Sequence, residues 1–263
     1  MSVLDLRIDD VAWDVMFLSS HRLELFRAVL APVQRLKLST VVDFAADARR
    51  DILNFESIMT CFSCLEDLDL EFWPGSVDAP RGQWTWDGAN IPNVSPLPFL
   101  GLLPKGTRFP HLARLSLFSF CVEEADLVSF LRQHAKTLSV LRLGEGNLVR
   151  DADTGVASCW VRVIRRLQAG LHLKEMRFSG YLGNYGSQNW DIIEFGMYTE
   201  PGCLKERVEN FVVHGGTCPL EDAAVCVRQS QARKSSALFN GDHSWRIWGG
   251  SSEHEHESHG SDA

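Results

Sequence analysis

The chain has 263 residues, 45% of them hydrophobic and 23% charged, with a net charge of −8. It is long enough to bury a core in one or two domains, and its composition is that of an ordinary globular protein. The acidic balance argues against a general nucleic-acid binder, which would carry a basic face. No apolar run approaches the roughly 18 residues of a membrane span. The start, MSVLDLRIDDVAWD, lacks the basic end and long apolar run of a signal peptide. With seven cysteines, an odd number, the chain reads as intracellular, cytoplasmic or nuclear, with reduced thiols and no membrane partner.

In chain order, a helix is predicted over 20–31, and residues 1–32 read as an N-terminal helical cap. Val33-x-x-Leu36-x-Leu38 follows. Apolar Ile52, Phe55, Met59 and Phe62 then place a helix over 48–62 after Asp47. Leu65-x-x-Leu68-x-Leu70 repeats the first pattern. Residues 72–108 are rich in Pro, Gly and Trp and read as a long insertion loop, a feature that is often functional or disordered. The pattern returns as Leu112-x-x-Leu115-x-Leu117 and again as Leu138-x-x-Leu141-x-Leu143. Between these two copies, Leu127, Phe130, Leu131 and His134 mark a helix over 123–136. Glu123, Glu124 and Asp126 crowd its first turn, and Arg132 and Lys136 lie toward its end, as the helix dipole favours. Trp160, Ile164 and Leu167 mark a helix over 159–169, with Ser158 as N-cap and Gly170 as stop. Leu173-x-x-Met176-x-Phe178 and Val208-x-x-Phe211-x-Val213 are further copies. A helix over 220–229 would close the array, and residues 231–263, ending GGSSEHEHESHGSDA, are polar and low in complexity and should be largely disordered.

The middle anchors Leu36, Leu68, Leu115, Leu141, Met176 and Phe211 recur at 26 to 47 residues, a period that suggests a solenoid over 33–230. The last two apolar positions of each copy lie two apart, so on a strand they face the same way. One unit cannot bury that face alone, but a stack of units makes a continuous core. The expected unit is strand, loop, helix, with a parallel sheet on one side and helices on the other.

Two segments, FPHLARLSLFSFCVEEADLVSFLRQHAKTLSVLRLGEGNL and WVRVIRRLQAGLHLKEMRFSGYL, are more specific. Strands of the form Leu-x-x-Leu-x-Leu alternating with helices resemble the leucine-rich repeat family, and these two segments are similar to the irregular repeats of fungal F-box-like proteins. The resemblance covers about residues 30–215. It implies an α/β, leucine-rich-repeat-like solenoid with its sheet on the concave side and helices on the convex side. It also implies a protein-binding role: recognising a substrate for an F-box-type ubiquitin ligase, with the ligase adaptor as a further partner where an F-box is present upstream. No helical segment opening with a Leu-Pro pair stands near the start. The alternative is a non-catalytic scaffold with no link to ubiquitination.

Outward strand positions should line the binding face: Arg35 and Lys37; Asp67, Asp69 and Glu71; Arg114, Ser116 and Phe118; Val140 and Arg142; Glu175 and Arg177; Val212 and His214. Arg114, Arg142 and Arg177 form a basic run that could dock an acidic or phosphorylated protein segment through bidentate contacts. The bland alternative is a solvated face whose charges alternate across strands. Trp73, Trp84 and Trp86 in the insertion could be binding hot spots or could fold back over the sheet.

Cys61-x-x-Cys64 lacks the second pair of a zinc site and sits at a helix end rather than a redox helix start, so buried thiols are expected. Cys121, Cys159, Cys203, Cys218 and Cys226 are scattered singly. His254, His256 and His259 lie in the tail, where ordering entropy opposes a metal site, and His214-Gly215-Gly216 reads as a strand-end turn. No Gly-x-Ser-x-Gly nucleophile turn is present. Gly101 to Thr107 has the letters of a phosphate loop in the wrong order. Asp67 and Asp69, alternating on an open sheet, should lack the burial that perturbs a carboxyl. The expectation is therefore a non-enzyme without cofactor or metal.

Overall fold

The computed structural model describes residues 4–12, 20–43, 57–75, 108–118, 120–149, 159–184, 188–192 and 202–221. The fold is mixed α/β, built on an open sheet of eight strands. These are β1 (Asp5–Ala12), β2 (Arg35–Asp43), β3 (Asp67–Gly75), β4 (Arg114–Phe118), β5 (Cys121–Glu123), β6 (Val140–Val149), β7 (Glu175–Asn184) and β8 (Gln188–Asp191). The order is β1-β2-β3-β4-β6-β7-β8, with β5 beside β6. Every pairing is parallel except β7 with β8. Among the described residues, four helices of ten or eleven residues accompany the strands: α1 (Ser20–Leu30), α2 (Glu124–Gln133), α3 (Trp160–Gly170) and α4 (Leu204–His214).

The register explains the repeated motif. Leu36, Leu68, Leu115, Leu141 and Met176 stand opposite one another across five strands, and Leu38, Leu70, Leu117, Leu143 and Phe178 form the next row. All ten side chains are buried. They share one apolar cluster with Leu127 and Leu131 of α2, Trp160, Ile164 and Leu167 of α3, and Val208 and Phe211 of α4. Each fully buried Leu stabilises the fold by about 2 kcal/mol, and these rows supply the inner face of the sheet.

Two expectations are corrected. Residues 5–12 are a strand, so the N-terminal segment is not wholly helical. Val3-x-x-Leu6-x-Ile8 is a further copy of the motif: Leu6 pairs with Leu36 and Ile8 with Leu38. Residues 208–213, expected as the last strand, lie instead within α4. There Leu204, Val208, Phe211 and Val212 follow a helical spacing. Glu206 in the first turn accepts the Gly202 N–H at 2.7 Å. Gly215, at φ +82 and ψ −166, takes a backbone conformation open to glycine and rarely to other residues, and the helix ends there. His214-Gly215 is thus a helix end, and Val212 and His214 do not belong to the sheet face.

The other expected helices are found within a few residues of their predicted bounds, at Ser20–Leu30, Glu124–Gln133 and Trp160–Gly170. Helix α3 starts after Cys159, which has no side-chain cap of its own; Ser158 lies outside the described residues. Neighbours cap this helix instead. Glu124 accepts the Cys159 N–H at 2.9 Å, and Asn184 accepts the Trp160 N–H at 3.2 Å. Of the helix expected over 48–62, residues 57–59 are helical and 48–56 lie outside the described residues. The proposed insertion starts later than expected, because β3 runs on through Gly75 with Trp73 opposite Val41. Trp84, Trp86, the 222–229 part of the final helix and the 231–263 tail lie outside the described residues.

The candidate protein-binding face

Side chains that alternate with the buried rows point to the opposite side of the sheet. Their register stacks them into transverse rows. One row runs Asp5, Arg35, Asp67, Arg114, Val140, Glu175; the next runs Arg7, Lys37, Asp69, Ser116, Arg142, Arg177; a third includes Glu71, Phe118, Gly144 and Ser179. Adjacent strands lie about 4.8 Å apart, so row neighbours are within side-chain reach.

The charges largely alternate in sign. Arg35 meets Asp5 at 3.7 Å, Lys37 meets Asp69 at 3.5 Å and Arg114 meets Asp67 at 3.4 Å. At β6 and β7 the balance changes: Arg142 and Arg177 stand directly opposite and both reach Glu175, at 3.2 and 3.3 Å. Burial pushes the Glu175 carboxyl up, but hydrogen bonds from Arg177 and Arg142, together with their charges, outweigh it and hold the group below its usual range. One carboxylate thus serves two guanidiniums.

Of the sequence-predicted site, Ser116, Arg142 and Arg177 share one row. Arg114 lies one row upstream, against Asp67, and Phe118 one row downstream. Phe118 is half-buried and lies over Gly144, where any Cβ would strike its ring and the Ser179 hydroxyl. Gly144 and Ser179 extend the face beyond the expected residues. Reading the alternation past Leu143 and Phe178 would have found them.

The expectation that burial would spare the β3 carboxyls is corrected for Asp69. Burial pushes its carboxyl up, against the opposing pull of Lys37. Asp69 is half-buried, because its row neighbours crowd the strand centre.

The cysteines divide. Cys61 is buried and its thiol is pushed up by burial, against the pull of Arg27. Cys218 is buried too, whereas Cys64 is exposed and Cys159 and Cys203 are half-buried, so the expectation of uniformly buried thiols is corrected. All five are free.

Sequence reasoning also missed an ionic cluster on the helical side, in which two exposed arginines meet a buried carboxylate. Glu124 receives Arg162 through three contacts of 2.7 to 3.1 Å and Arg166 at 3.2 Å. The hydrogen bonds it donates to Glu124 hold the Arg162 guanidinium above its ordinary value. The i, i+4 arginines on α3 were the available signal. With the Cys159 N–H also on Glu124, the cluster ties the starts of α2 and α3 together, so its role is structural.

Among the described residues, no group of three or more His, Cys, Asp or Glu is placed to hold a metal. No described helix is long and apolar enough to cross a membrane. A shallow concavity lined by Arg207, Phe211, Cys218 and Glu221 lies beside α4, off the open face. Comparison of the chain with family models, with curated proteins and with solved structures returned no match.

Proposed function

We propose that the chain is a leucine-rich-repeat-like solenoid whose open sheet face captures another protein, without catalysis of its own. The observation that carries this reading is the row at β4, β6 and β7. There Arg142 and Arg177 stand opposite each other with Glu175 as a shared counter-ion, beside the half-buried ring of Phe118. Two guanidiniums gathered at one carboxylate beside an aromatic offer planar donors suited to an acidic or phosphorylated peptide segment. Within that class, the finer reading is the substrate-recognition domain of an F-box-type ubiquitin ligase receptor. The scaffold alternative is favoured by the ion pairs at Arg35, Lys37 and Arg114, which neutralise the rest of the face internally.

The test is a binding titration of the full chain against phosphorylated and unphosphorylated acidic peptide arrays. The reading expects binding that Arg142→Ala/Arg177→Ala abolishes and Lys37→Ala leaves intact; binding indifferent to the arginine pair sinks it. Affinity capture followed by mass spectrometry separates the two finer readings: a cullin-ligase adaptor among the captured proteins supports the receptor, and its consistent absence supports the scaffold.

A further inference from the structure

The aromatic beside the arginine pair owes its position to a missing side chain. Burial alternates along β4, and Phe118 falls on its outward side, half-buried. Its register partner on β6 is Gly144, which pairs in turn with Ser179 on β7. A Cβ at Gly144 would lie 2.3 and 2.5 Å from two Phe118 ring carbons and 2.5 Å from the Ser179 hydroxyl, far inside van der Waals contact. The ring therefore lies down across β6, on backbone that only a glycine leaves bare. Gly144 is accordingly buried although it belongs to the outward row.

The ring and the arginine pair stand in line along one strand. Arg142 precedes Gly144 by two residues on β6, and its guanidinium and that of Arg177 gather at Glu175. The Arg142 and Arg177 side chains are 42% and 48% exposed. Phe118 and Arg142 have further interactions within the chain, so a ligand meets the surface that these leave. Alternate residues of a strand lie about 6.6–6.8 Å apart, and an extended peptide has the same repeat in its own side chains. Laid along β6, such a peptide sets two alternate side chains over the arginines and the ring at once. Laid across the strands, it meets them one at a time. Strand β6 is paired on both sides, with β4 and β5 and with β7, so a segment lying on the face has side chains rather than ladder hydrogen bonds to hold it.

We infer that the captured segment lies extended along β6, with an acidic or phosphorylated residue at Arg142 and Arg177 and an apolar residue two positions away on the Phe118 ring. This rests on the proposed capture of such a segment and adds the spacing by which it is chosen. A flat ring backed by bare backbone is a seat for an aromatic or aliphatic side chain. Gly144 then acts on the ligand through Phe118, as a positioning residue that keeps the ring flat.

The experiment is retention of peptide libraries on the immobilised full chain. One library fixes phosphoserine at its centre, a second glutamate and a third serine, with the four positions on either side degenerate. In whichever acidic library is retained over the serine library, aromatic and aliphatic residues should be enriched about threefold or more two positions before or after the centre. Phe118→Ala should remove that enrichment and keep the preference over serine. So should Gly144→Ala, whose added methyl group would strike the ring; circular dichroism checks that both variants fold. Enrichment one or three positions from the centre instead, or none, overturns the spacing and leaves the proposed capture standing. So does an enrichment that the folded variants keep. Retention no better than that of the serine library, or indifferent to Arg142→Ala/Arg177→Ala, overturns the capture itself and the spacing with it.

Discussion

The two ends of the sheet are finished differently. At the β7 end the edge is covered. Strand β8 pairs antiparallel with Tyr181 to Asn184, and upstream of it α4 takes over: Glu209 accepts the Phe178 N–H at 2.7 Å, where a strand carbonyl would otherwise sit. Trp160 is fully buried behind this edge, with its indole N–H on the Gly183 carbonyl at 3.0 Å. At the β1 end no further strand lies beyond β1 among the described residues, and Leu25, Phe26 and Val29 of the flanking helix are exposed.

Breaking the covered end should cost most. Trp160→Ala removes a fully buried indole and its hydrogen bond, and is expected to lower unfolding stability by about 3–5 kcal/mol in urea titrations. Glu209→Ala leaves the Phe178 N–H without its acceptor and should cost about 1–2 kcal/mol. Hydrogen exchange at the Phe178 amide should rise in step.

Acid should weaken the packing of α2 around His134. His134 is buried. Its Nδ1–H donates to the Phe130 carbonyl at 2.8 Å and its Nε2 accepts the Phe109 N–H at 3.1 Å, an arrangement that requires the neutral ring. Burial lowers its pKa; the Phe130 hydrogen bond opposes this and the charge of Arg108 adds to it. A group whose folded pKa is depressed in this way, for a base, binds fewer protons folded than unfolded. The stability from neutral His134 is therefore complete above the ordinary histidine range and falls as pH drops through that range toward the lowered folded value. His134→Gln, which can donate and accept, should flatten that part of the pH–stability curve.

The smallest effect is expected on α1. Val29→Lys, at a side chain 68% exposed, should change stability by no more than about 0.5 kcal/mol in urea titrations. A large loss would show that this side of α1 is covered within the chain.

What the sequence revealed follows from what each signal measures. Leu-x-x-Leu-x-Leu reports two inward positions on a short strand, and five copies found by that spacing align in register. The copy at Val208 failed because its first two anchors, at i and i+3, also suit one side of a helix, which Leu204 and Val212 complete. There the Lys205–Glu209 pair and the flanking Gly202 and Gly215 decide for α4. The copy at Val3 was hidden inside a segment read as a helical cap. Strands β5 and β8, of 3 and 4 residues, are too short for periodicity to register. The basic run of Arg114, Arg142 and Arg177 was legible, but its counter-ions depend on register, which no single strand displays.

One feature of β6 reaches further than its own strand. Glu145 adopts φ +48, and Gly180 at φ +67 leaves room beside its side chain. The pairing of β6 with β7 slips there, between Gly144 and Gly146. At the same level β4 stops and β5 begins, and β1 slips against β2 after Ile8. Before this line Leu141 and Leu143 point inward; beyond it Leu148 does, and Gly146 lies against Phe120 and Trp160. Along β6, inward and outward positions are therefore counted in a different frame on each side of Glu145, while β2 and β3 pass this level in unbroken register. Deleting Glu145 would join the two runs in one regular alternation with Leu141, Leu143 and Leu148 all still inward, whereas holding Glu145 in the regular extended ladder would turn Leu148 out to water.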